Sequence, residues 1–192
     1  MIEFEKSCCF TGYRPEKFDF DFDTNDPFYR MFTERLISAL SRRIENGCTH
    51  FYTGMAKGFD IIAAEYIELI KRRNKNIKLI AVIPFKGQEK GWNDEWKTRY
   101  FNLLESCDEV LTLNENYEKW VYDQRNRYMV DRCRYVITYF DGKPGGTGNT
   151  VKYALRNCRE IINIYETDPA EKEKARLVSK FVLIPPDSDL SK

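Results

Sequence analysis

Apolar positions along the chain switch repeatedly between short β-branched or aromatic runs and longer stretches with a helical beat. Phe4 to Phe10 reads as a first strand, closed by the turn-forming Thr11-Gly12-Tyr13-Arg14-Pro15. Phe18 to Asp26 mixes aromatic and acidic residues and reads as a surface loop. From Pro27 to Asn46 the apolar positions Phe32, Leu36, Leu40 and Ile44 share one helix face, with Asp26 as N-cap, Pro27 at the first position and Gly47 as a stop. Thr49 to Thr53 predicts a second strand, and Phe59, Ile62, Ala63, Tyr66, Ile67 and Ile70 predict the helix after it. Ile77 to Phe85 predicts a third strand, followed by a helix marked by Trp92, Trp96, Tyr100 and Leu103. A fourth strand from Asp108 to Leu113, a helix from Lys119 to Cys133 and a fifth strand from Tyr135 to Phe140 come next. A glycine-rich turn, a helix through Cys158 and a short sixth strand from Ile161 to Tyr165 complete the alternation.

Strands without clean alternation, separated by helices, imply a parallel sheet covered on both faces. The expected fold is α/β: a Rossmann-like, doubly wound, mainly parallel sheet with helices on both faces and strand order 3-2-1-4-5-6. Residues 1–166 read as one Rossmann-like domain, and residues 167–192 as a C-terminal helix and tail.

Composition narrows the function more than the fold. The 192 residues suit one domain, and 42% hydrophobic with 32% charged residues describes an ordinary globular protein. The run Ile77 to Phe85 is too short to cross a bilayer, and an N-terminus with Glu3 and Glu5 resembles no signal or transit peptide. A cytoplasmic protein without membrane contact is expected. A net charge of +1 makes a nucleic-acid partner unlikely in electrostatic terms, and the basic group Lys71, Arg72, Arg73, Lys75 and Lys78 suits the solvated end of a helix. The six cysteines show no CxxC pair or zinc spacing, and the single histidine, His50, supports neither a metal site nor a Ser-His-Asp triad.

Chemistry is expected at the carboxyl ends of the strands, where three glycine-containing loops fall: Thr11-Gly12, Gly54 to Gly58, and Gly145 to Gly148. Each helps to open a helix, whose free N–H groups and dipole favour an anion. One such loop is as readily a turn as a site; three on one edge, with hydroxyls at Thr11, Thr53, Thr147 and Thr150, read as a phosphate and ribose cradle. GxGxxG after the first strand and the Walker pattern are both absent. Asp60 has two readings, a cap for the second helix or an acceptor for ribose hydroxyls. Asn126, on a stripe with Tyr122, Met129 and Cys133, either bonds a neighbouring loop or contacts a ligand. Arg125 and Arg127 are solvated helix charges or phosphate ligands.

The segments Cys9-Phe10-Thr11-Gly12-Tyr13-Arg14-Pro15, Gly54-Met55-Ala56-Lys57-Gly58-Phe59-Asp60, Arg125-Asn126-Arg127-Tyr128-Met129-Val130-Asp131 and Gly145-Gly146-Thr147-Gly148-Asn149-Thr150 together resemble the SLOG superfamily. That group joins the Smf/DprA proteins with the LOG cytokinin-activating enzymes, and the match is nearest its YpsA-like branch. Tyr13 stands where that branch shows His. The resemblance implies a Rossmann-like fold that binds a nucleotide-derived ligand. The residues it points to are Thr11, Gly12, Arg14, Gly54, Met55, Ala56, Gly58, Asp60, Arg125, Asn126, Gly145, Gly146, Thr147 and Thr150. LOG enzymes cleave a nucleoside monophosphate with an Arg on the helix before the last glycine loop and a Glu in Pro-Gly-Gly-x-Gly-Thr-x-Glu. Here Pro144-Gly145-Gly146-Thr147-Gly148-Asn149-Thr150-Val151 puts Val151 at the glutamate position.

Valine transfers no proton, so the sequence favours a binding or sensing protein over an enzyme. The expected ligand is a nucleotide or dinucleotide derivative, with no metal or other cofactor implied. Alternatives are an N-glycosidic or phosphoribosyl hydrolase using Asp60 or Glu65, a single-stranded nucleic-acid binder, and a scaffold in a cell-envelope or division pathway. A homo-oligomer is compatible with the sequence, and no feature specifies a protein partner.

Overall fold

A computed structural model describes residues 4–165, so the terminal helix and tail expected beyond residue 166 lie outside the described residues. Eleven regular strands and helices alternate. They are β1 (Ser7–Gly12), α1 (Pro27–Glu45), β2 (His50–Thr53), α2 (Phe59–Arg73), β3 (Lys78–Ile83), α3 (Asp94–Ser106), β4 (Glu109–Thr112), α4 (Val121–Arg132), β5 (Tyr135–Tyr139), α5 (Gly146–Arg156) and β6 (Glu160–Asn163). Phe4–Lys6, expected as the start of β1, forms a single 3-10 turn instead. The cap of α1 is as the sequence indicates: the Asp26 carboxylate accepts from the Phe28 amide at 2.7 Å and the Tyr29 amide at 3.3 Å.

The strands form one parallel six-stranded sheet in the order β4-β3-β2-β1-β5-β6. The expected α/β, doubly wound class is therefore present, but the expected strand order is not. β4 lies at an edge outside β3, and β5 takes the central place beside β1. Burial explains the difference. β4 is largely exposed, with Val110 at 47%, whereas every residue of β5 is buried. A central strand is covered on both faces and an edge strand is not.

Side-chain alternation divides the core in two. Cys8 and Phe10 of β1, Leu79, Ala81 and Ile83 of β3, and Tyr135, Ile137 and Tyr139 of β5 meet α1, α2 and α3 on one face. Cys9, Ile80, Val82 and Val136 meet Met129 and Val130 of α4, Cys133 just after it, and Ala154 of α5 on the other. The Phe18–Asp26 stretch has no regular secondary structure, as expected, but it is anchored to the core. Phe18 stacks on Tyr139 at 4.9 Å between ring centroids, Phe20 meets Phe32 at 5.5 Å, and Phe22 meets Trp96 at 5.8 Å. All six cysteines are free, and burial pushes the Cys8 and Cys133 thiols well up, which suits small apolar core residues. Among the described residues no helix is long and apolar enough to cross a membrane.

Sequence order runs outward from β1 to β4, and then α4 carries the chain back to the other side of β1. The reversal falls between β1 and β5, which makes their carboxyl ends a crevice.

Candidate functional site

At that crevice lies a cleft of about 410 Å³. Its walls come from the turn after β1 (Gly12, Tyr13, Arg14), the loop before α2 (Ala56), one face of α4 (Tyr122, Arg125, Asn126) and the first turn of α5 (Gly146, Thr147). Thr11, Glu16, Lys17 and Asp60 complete it. Of the fourteen residues that the sequence singles out, nine line this cleft: Thr11, Gly12, Arg14, Ala56, Asp60, Arg125, Asn126, Gly146 and Thr147. His50, the first residue of β2, lies at the amino end of its strand, away from the carboxyl-end crevice.

The remaining five support the walls. Gly54 carries no side chain because a Cβ there would fall on the Arg125 guanidinium and come within 2.8 Å of Asp60. Met55 is fully buried at φ 53°, and its amide donates to Thr53 Oγ1 at 3.1 Å. Gly58 has φ +100°, a region that favours glycine, and brings the Phe59 amide within 3.0 Å of the Tyr13 carbonyl. Gly145 precedes the first turn of α5. Thr150 accepts from Asn126 Nδ2 at 2.8 Å and donates to the Gly146 carbonyl at 3.0 Å, which ties α4 to α5. Thr147 Oγ1 donates to the Gly12 carbonyl at 2.9 Å and joins the first and last loops.

Asp60 and Arg125 form the floor. Both side chains are 6% exposed, and Arg125 Nη1 stands 3.5 Å from Asp60 Oδ2. Asp60 does not cap α2, whose N-cap is Gly58. The backbone amides of Ala56 and Gly54 instead face its carboxylate and favour its charged form. Burial pushes the Asp60 carboxyl up to about 6, against the opposing pull of Arg125 and those amides. Burial likewise lowers the Arg125 guanidinium from its ordinary value, and Asp60 offsets part of this. Arg125 Nε is buried without a hydrogen-bond partner. A guanidinium offers several N–H donors in a fixed fork, and a buried donor left unpaired is costly.

Four lining residues escape the residue-by-residue sequence reading as ligand contacts: Tyr13, Glu16, Lys17 and Tyr122. The turn Pro15–Lys17 brings Glu16 and Lys17 to the rim, and nothing in the local pattern shows that it folds back over the cleft. Glu16 pairs with Lys57, which holds its carboxyl low. Lys17 and Arg14 make ring contacts, Lys17 Nζ lying 5.2 Å from the Tyr13 centroid and the Arg14 guanidinium 5.8 Å from that of Tyr122. Tyr13 donates its hydroxyl to Asp141 and accepts from the Asp141 amide at 3.2 Å. Burial and then the Asp141 hydrogen bond push the Tyr13 phenol up to about 12, so it stays protonated at neutral pH.

Other sequence candidates lie elsewhere. Arg127 pairs with Asp123 at 2.7 Å on the surface. Glu65, a possible stand-in for the LOG glutamate, is bound through both oxygens to Arg99 at 2.8 and 2.6 Å, away from the cleft. Val151 is buried on α5 and is not part of the cleft wall. Lys71 and Lys78 both pair with Asp108, and Arg72 with Glu68, so three of the five cations in the basic group are held in ion pairs.

Comparison with known proteins identifies the family and the fold. A model of the YspA SLOG family matches residues 8–170. The uncharacterized SPbeta prophage-derived protein YoqJ of Bacillus subtilis (strain 168) is 30% identical over 118 residues, covering 55% of this chain and 69% of that protein. A UPF0398 protein of Lysinibacillus sphaericus is 22% identical over 85% of this chain and 96% of its own length. Among solved structures, DNA processing protein A (DprA) from Streptococcus pneumoniae superposes with a TM-score of 0.55 at 22% identity. That match covers 93% of this chain and 57% of the DprA chain, and it shows the shared fold.

Proposed function

This chain belongs to the YspA SLOG family, and we propose that its cleft binds a nucleotide-derived ligand through a phosphate seated between Arg125 and the first turn of α5. The observation that carries this reading is Arg125. Its guanidinium is buried at the cleft floor, makes one long contact to Asp60 and leaves Nε unpaired. A phosphate oxygen matches the missing acceptor in charge and geometry. Gly146 and Thr147 add the open N-terminus of α5, where backbone N–H groups and the dipole favour an anion. Val151 at the position of the LOG glutamate favours binding over glycosidic cleavage in this reading.

Gly146 gives a clean test. A Cβ on it meets no atom within 4 Å, so Gly146→Val keeps the fold while filling the space at the phosphate position. In a thermal-shift titration against AMP, ADP-ribose and ribose 5-phosphate, at least one is expected to stabilise the native protein. At about 100 times its Kd the gain is about 2.7 kcal/mol. Gly146→Val is expected to lose that shift with an unchanged circular dichroism spectrum. A folded Gly146→Val protein with native affinity contradicts the assignment.

One observation favours a second reading. Asp60 is a cleft carboxyl with its proton affinity raised to about 6, the range in which a general acid or base works near neutrality. Multiple-turnover release of free base from AMP, lost in Asp60→Asn, identifies a hydrolase instead.

A further inference from the structure

The same cleft has an aromatic side. Beyond the phosphate end, α4 turns Tyr122 into the cleft one helical turn before Arg125 and Asn126. Phe85, just beyond β3, packs edge-on to Tyr122 with ring centroids 5.8 Å apart. Tyr117, from the loop between β4 and α4, meets Phe85 at 5.4 Å and Tyr122 at 6.2 Å while remaining 55% exposed. These rings therefore form an aromatic shelf that the hydrophobic core does not absorb. Arg14 lies over Tyr122 at 5.8 Å, wider than direct stacking.

We infer that Tyr122 and Arg14 are the two jaws of a clamp for the planar base of the ligand, with Tyr117 and Phe85 holding Tyr122 in place. The inference rests on the phosphate reading, because it uses Arg125 and Gly146 to fix the other end of the same molecule. Stacked bases lie about 3.4 Å apart, so a base between two planes needs an opening of about 7 Å. The Arg14 guanidinium carbon stands 5.8 Å from the Tyr122 centroid, closer than such an opening, and the exposed, flexible Arg14 side chain makes room by a change of rotamer. Aromatic rings and guanidinium planes both accept a base face, in any of its identities. The ligand class is thus a nucleoside phosphate, recognised through its ring face, with weak discrimination among bases.

Calorimetric titration with AMP and with ribose 5-phosphate separates this claim from the phosphate reading. Native protein is expected to bind AMP about ten- to a hundredfold more tightly than ribose 5-phosphate. Tyr122→Ala is expected to remove that advantage without changing the affinity for ribose 5-phosphate, and Tyr122→Phe to restore it. The exposed Tyr117→Ala variant, which risks no folding defect, is expected to weaken AMP alone by a few-fold. Equal native affinities for the two probes overturn the clamp and leave the phosphate site standing. A Tyr122→Ala loss shared equally by both probes also overturns it. Binding of neither probe by the native protein overturns the phosphate reading and the clamp together.

Discussion

Glycines that look alike in the sequence divide into two kinds when their surroundings are seen. At Gly54 the missing side chain makes room for the Arg125 guanidinium, whereas at Gly146 the space is empty. Gly54→Ala must displace a buried ion pair and is expected to cost at least about 3 kcal/mol in urea denaturation. Gly146→Ala is expected to stay within about 1 kcal/mol of native. Equal losses would mean that the Asp60–Arg125 pair does not define the floor. The pair also gives a pH signature. A carboxyl raised by burial contributes stability below its unfolded value of about 3.9, and that contribution fades as pH rises through the folded value. The folded value is about 6 with Arg125 present. Arg125→Met removes the compensating charge and raises it further. The destabilisation of Arg125→Met should therefore be clearly smaller at pH 5 than at pH 8, and a pH-independent loss would contradict this account.

The edge strand β4 shows how side chains hold an element in place. Asp108 accepts from the Leu79 amide at 2.9 Å and pairs with Lys71 and Lys78, linking the start of β4 to β3 and to the end of α2. Burial alone would raise the Asp108 carboxyl, but hydrogen bonds from Lys71, the Leu79 amide and Lys78 outweigh it and hold it below its ordinary value. A depressed carboxyl stabilises above the unfolded value of about 3.9 and ceases to do so as pH falls toward its folded value. Asp108→Asn is expected to cost about 1–2 kcal/mol at pH 7, measured by thermal unfolding, with the difference shrinking below about pH 4. A difference that persists undiminished at pH 3 would show that shape, not charge, holds β4. The Phe18–Asp26 segment makes a related point. Its alternation of aromatic and acidic residues marks a strap with one face on α1 and the sheet, yet no single ring reveals which surface it covers.

At the scale of the molecule, alternation of apolar runs was enough to read the elements and the parallel sheet. Strand order was not legible from the same pattern. The polar character of Glu109 and the largely apolar run Tyr135–Tyr139 distinguish an edge from a centre, but only once both are weighed as candidates for the place beside β1. Either order reverses beside β1, so the crevice stays at the carboxyl end of β1, but only the observed order sets the loop after β5 directly beside it. Loops after regular strands were therefore predictable as cleft walls, whereas Glu16 and Lys17 reach the rim through an irregular turn. Arg125 was visible as a residue, but its burial and unpaired Nε follow only from α4 packing beside the Gly54 loop. That atom is also the most direct probe of the central claim. In a nitrogen-15 NMR titration with AMP, the Arg125 Nε–H resonance is expected to shift in parallel with the Gly146 and Thr147 amides, at a single saturating affinity. Saturable binding that moves other resonances and leaves all three unchanged would contradict the account.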